Sequence, residues 1–199
     1  MRIIDAFVVA TLAAGVPPAA AQGGVQTQRL MATSIPLDAT PTSSALAAIW
    51  QDRLAAERTK LATLATHSPG SSRTSSNVSV NAFSASFKDG DRTIILSALF
   101  TTPECANFSG AAAPSLNNCP MRVAVLQHGQ VKVVASASDF PFVAALKDVA
   151  NDKGNEFDNQ TQRDKTLVMF DPATHEITTA LTMNGVLDAE KATPIRIAY

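Results

Sequence analysis

Between Arg92 and Ser138 the chain reads as two strongly apolar strands, RTIILSALFTT and MRVAVLQ, followed by a third, VKVVASAS. The first of these limits the fold most. Its apolar groups occur at both parities, Ile94, Leu96 and Phe100 against Ile95 and Leu99, so neither face can be given to water. Such a strand belongs in the middle of a sheet with a layer packed over each side. His128-Gly129 joins the second and third strands. A two-residue turn there needs positive φ, which glycine adopts freely and histidine tolerates better than most residues. The same stretch holds the only two cysteines, Cys105 and Cys119, at the facing ends of the first two strands.

The flanking segments extend this unit into a meander. Asn77 to Phe87 alternates Val78, Val80 and Ala82, with Phe83 and Phe87 on the other parity, which fits a bulge or a strand covered on both faces. Lys88-Asp89-Gly90-Asp91 follows, and Asp-Gly predicts a type I′ hairpin. Upstream, Leu46, Ile49, Trp50, Leu54, Leu61 and Leu64 predict an amphipathic helix from Ser43 to Thr66, capped by Ser43 or Ser44 and stopped by Pro69-Gly70. Trp50, central in that stripe, is read as core rather than as a ligand-stacking residue. Asp139-Phe140-Pro141 reads as the N-cap and first turn of a second helix, with Phe142, Val143, Leu146, Val149 and Ala150 on one stripe and Gly154 at its end. KTLVMF and EITTALTM make a last hairpin, Asn184-Gly185 offers another turn, and Ile195, Ile197 and Tyr199 alternate in a final edge strand. The expected fold is α+β: an antiparallel β-meander sheet of about six strands, packed with one long N-terminal helix and one shorter inserted helix.

The N-terminus carries a targeting pattern. Arg2, the apolar run from Ala6 to Val16 and the small residues Ala19-Ala20-Ala21 are the three parts of a secretory signal peptide, with cleavage expected after Ala21. Residues 22–44, rich in Gly, Thr, Ser, Pro and Gln, are expected to be a flexible lead, and 45–199 a single domain. No later apolar run reaches the length of a transmembrane helix. The expected location is therefore periplasmic or secreted, where two cysteines form a disulfide. Closing the Cys105–Cys119 loop is worth on the order of 3 kcal/mol.

Charge and composition exclude some functions. A formal charge of −1 leaves no basic excess of the kind a nucleic-acid binder needs, and aromatics make up only 6% of the chain, which leaves few for stacking on bases. No Cys-x-x-Cys, His-Glu-x-x-His, Gly-x-Ser-x-Gly, Ser-x-x-Lys or phosphate-cradling glycine loop is present. His67, His128 and His175 fall in connectors without ligand spacing, and the oxygen-rich Asn151 to Asn159 departs from the EF-hand pattern. No catalytic residue, metal or cofactor is assigned.

What remains is the stretch between the cysteines. A long connection stapled at both ends loses less entropy when it meets a partner, so it is read as a contact loop. Phe108 and Leu116 are its apolar anchors, and Glu104, Asn107, Asn117 and Asn118 its polar contacts. The resulting expectation is an exported binding or accessory domain with a protein or envelope partner. The alternatives are a metal-independent hydrolase of cell-envelope material, with acids among Glu104, Glu156, Asp158, Asp164 and Asp171 near a sheet cleft, and a structural envelope subunit whose lead or final strand pairs with another chain.

Overall fold

The computed structural model describes residues 24–67, 78–101, 105–107, 116–143, 165–183 and 186–198. The expected signal peptide, the Asn184-Gly185 turn, Tyr199 and most of the expected second helix lie outside them. In chain order the elements are β1 (Gln26–Arg29), β2 (Met31–Pro36), α1 (Ala45–Ile49), α2 (Gln51–His67), β3 (Ser79–Asp89), β4 (Arg92–Phe100), β5 (Ala106–Asn107), β6 (Leu116–Gln127), β7 (Gln130–Val143), β8 (Lys165–Asp171), β9 (Glu176–Met183) and β10 (Val186–Arg196).

The strands make two antiparallel sheets where one was expected. The larger runs β2-β3-β4-β6-β7, with the two-residue β5 paired to β6 beyond the end of β4, and the smaller runs β1-β8-β9-β10. β4 is central, as its two-faced apolar pattern requires: Ile94 to Leu99 are all buried. One face of the larger sheet, through Phe83, Phe87, Ile94, Leu96, Val123 and Phe142, packs on Val168, Phe170 and Ile177 of the smaller sheet. The other face, through Ala82, Ile95, Leu99 and Ala124, packs on Ala47, Ile49, Trp50 and Leu54 of the helices. The layers are therefore helix, sheet and sheet.

The helix starts as expected. The Ser44 side chain accepts a hydrogen bond from the Ala47 N–H at 3.0 Å. It then divides at Trp50, where φ is −110°, although the Trp50 N–H still reaches Leu46 O at 3.1 Å. Trp50 is fully buried, its indole N–H donates to Ser97 Oγ at 3.0 Å, and the Arg122 guanidinium lies 4.6 Å from its ring centre. Arg122 also donates to both oxygens of Asp52 at 2.7 Å and to the Ile49 carbonyl at 2.6 Å. One arginine of β6 thus clamps both helical segments to the sheet. The expected stripe fails at its far end: Leu61 is half-buried, but Leu64 is 66% exposed because α2 runs past the packed part of the sheet.

The bidentate Arg122 hydrogen bonds hold the Asp52 carboxyl below its ordinary range. A carboxylate lowered in the folded state contributes stability above its unfolded pKa of about 4, and that contribution is lost as pH falls through the folded value. Asp52 is largely exposed, so the contribution is under about 1 kcal/mol after solvent screening. Urea titrations from pH 6 down to 2 should show a larger loss of stability in the wild type than in Asp52→Asn; equal pH dependence would contradict the clamp.

Several expectations on secondary structure are corrected. Asp139 to Val143 continue β7 rather than opening a helix. Phe140 and Phe142 alternate into the core between the sheets, and Pro141, at the exposed position between them, is tolerated because β7 is an edge strand. The register slips where Ser138 and Asp139 oppose Pro120, and again at Val134, so β7 carries two bulges. β6 correspondingly begins at Leu116, not at Met121. The stretch expected to be a flexible lead forms β1 and β2, one run of chain that changes sheets at Leu30. β2 leaves β3 after Ser84, and glutamine side chains take over its hydrogen bonds. Gln28 Oε1 accepts from the Ser86 N–H at 3.2 Å, while Gln26 accepts from the Lys88 N–H at 3.2 Å and donates to the Lys88 carbonyl at 2.7 Å.

The turns follow their residues. His128 and Gly129 have φ of 50° and 77°, as a type I′ hairpin needs. In the β3–β4 turn the central pair is Gly90-Asp91, and only Gly90 has positive φ, at 60°, which matches type II′ rather than the expected I′. The final strand is present as β10, with Ile195 opposite Ile177 and both Ile195 and Ile197 in the core between the sheets.

Candidate functional site

The two cysteines meet at the end of the larger sheet. β4 pairs with β6 only as far as Ala98 opposite Met121. Beyond that point the Cys105 N–H donates to the Thr101 carbonyl at 2.9 Å, and Ala106 and Asn107 pair with Asn118 and Asn117, running along β6 in the same direction as β4. Cys105 and Cys119 are disulfide-bonded with Cα atoms 4.4 Å apart. Cys119 is fully buried among the side chains between the sheets, whereas Cys105 is only partly covered.

The bond joins both arms of the expected contact loop at their roots. Of the six residues expected to make contacts, Glu104 and Phe108 lie outside the described residues, and Asn107 and Leu116 are placed by backbone register alone. Asn117 is corrected: at 1% exposure it belongs to the interior, on the same face as Cys119, Met121 and Val123. Had the strand been taken back to Leu116, period-2 alternation from those residues would have placed it there. Asn118 points to the opposite face, half-buried, and its side-chain oxygen is sheltered from solvent without a hydrogen-bond partner among the described residues.

Two histidines come into play at the opposite end of the sheet, where hairpin tips converge. His128 Nε2 lies 3.5 Å from Asp91 Oδ2, and His175 Nε2 lies 4.0 Å from Asp89 Oδ2. The Gln127 side-chain amide donates to Asp91 at 2.8 Å and holds that carboxyl below its ordinary range. Both histidines occupy positive-φ turn positions, and His128 and Asp91 are mainly in solvent, so the turns account for these residues.

No family model matches the chain, and no curated protein or solved structure is significantly similar to it. Function has to be argued from these surfaces alone.

Removing the disulfide tests how the site is built. A Cys105→Ser/Cys119→Ser variant should lose roughly 2–4 kcal/mol in urea unfolding while keeping its sheet signal in circular dichroism, because most of the core lies outside the tied segment. A loss below about 0.5 kcal/mol would mean that the tie constrains nothing.

Proposed function

We propose that this chain is an exported binding or accessory domain that meets a protein or envelope partner through the segment between Cys105 and Cys119. The observation that carries the reading is the tie itself: a covalent bond joins both roots of the segment at a sheet end, where Cys119 is fully buried. A surface held in this way loses little freedom on binding. The disulfide is compatible with an oxidising compartment, and no helix among the described residues is long and apolar enough to cross a membrane. The signal pattern ending at Ala21 supports export from the sequence side. The structural-subunit reading stays an alternative, since β1, β2 and β10 pair with β8, β3 and β9 of the same chain on one side and form sheet edges on the other.

The test replaces residues 108–115 by a Gly-Ser linker and keeps both cysteines and the β5–β6 pairs. Affinity capture from an extracytoplasmic extract of the native host, with partners identified by mass spectrometry, should lose those partners in the variant. An unchanged set of partners would overturn the reading.

A further inference from the structure

The outer face of the smaller sheet carries a depression of about 220 Å³ where β8 turns into β9, lined by Val25, Met169, Asp171, Thr174, Glu176 and Thr178. Its wall has two chemical characters. Val25, 59% exposed, and Met169 form an apolar side, while two carboxylates and two threonine hydroxyls face them.

The charges do not cancel. Asp171 and Glu176 are direct register partners, which sets two negative groups opposite each other where like charges repel. Arg196, opposite Glu176 on the other side, donates to it at 2.7 Å and neutralises one of them. Among the described residues Asp171 accepts only the neutral Ala173 N–H, at 2.8 Å, and no lysine or arginine pairs with it. The depression therefore presents one uncompensated carboxylate beside an apolar wall. A bare metal ion fits poorly, since no group of three ligating side chains is found among the described residues and Val25 and Met169 offer no oxygen. A cation on an alkyl stem fits both halves, its methylenes along Val25 and Met169 and its charged head at Asp171.

We propose that this depression receives a lysine side chain from a partner protein. The proposal rests on the reading of the chain as a binding domain but uses a different face, so replacement of residues 108–115 leaves it intact and the two can fail separately. The experiment follows the Met169 methyl resonance of methyl-labelled, folded protein during titration with Nα-acetyl-lysine amide, Nα-acetyl-norleucine amide and cadaverine. The expected result is a saturable shift with the lysine amide, weakened roughly tenfold in Asp171→Asn and by added salt, and no saturable shift with the uncharged norleucine amide. No saturable shift with the lysine amide, an equal response to norleucine amide, or unchanged affinity in Asp171→Asn would overturn it. Tighter binding of cadaverine than of the lysine amide would overturn the assignment to a protein side chain in favour of a free diamine.

Discussion

Trp50→Ala should destabilise the domain by about 3–5 kcal/mol, the range for deleting a large aromatic from a packed core. Three losses combine at this position. The indole is fully buried between the helices and the larger sheet, its N–H satisfies Ser97, and its ring is the surface on which Arg122 lies while holding Asp52 and the Ile49 carbonyl. Trp50→Phe keeps part of the volume and loses the donor, so it should cost less than the alanine variant. Ser97→Ala alone leaves a buried indole N–H unpaired and should cost about 1–3 kcal/mol. Urea unfolding followed by circular dichroism measures all three. A Trp50→Ala loss under about 1 kcal/mol would mean that the helices do not depend on this joint.

Phe170→Ala is expected to have an effect of the same size, about 3–5 kcal/mol, on the other side of the larger sheet. Phe170 is fully buried, lies 5.7 Å centre to centre from Phe87, and sits in the cluster that holds the two sheets together. The paired variant Phe87→Ala should be non-additive with it, because both remove one contact and share one cavity. Strict additivity of the two losses would contradict face-to-face packing of the sheets at this point.

The larger sheet was legible where its signals were local. The two-faced apolar pattern of Ile94 to Leu99 placed β4 in the middle with a layer on each side, His128-Gly129 marked its hairpin, and the cysteines faced each other across a strand end. The second sheet was not legible, because a meander pattern is the same whether successive hairpins extend one sheet or fold over it; only packing of Val168, Phe170 and Ile177 on the larger sheet decides between them. Asp139-Phe140-Pro141 misled for a local reason. An N-cap followed by proline and a bulge followed by an edge-strand proline share the same residues, and burial of Phe140 and Phe142 on one face favours the strand. β1 is polar because the side chains of Gln26 and Gln28, and not apolar packing, complete the exposed edge of β3. At the candidate site, the pairing of Cys105 with Cys119 was readable and the burial of Asn117 was not, since it depends on β6 starting five residues before Met121.

The proposal that joins fold to function is an exported chain closed by one internal disulfide, and peptide mass mapping of the protein purified from its native host tests both parts together. The predicted result is an N-terminal peptide that starts at Gln22 and, in unreduced protein, a peptide pair linked through Cys105 and Cys119 that separates on reduction with the gain of two hydrogen atoms. Peptides from residues 1–21 in the purified protein, or Cys105 and Cys119 peptides that are separate and free before reduction, would contradict it.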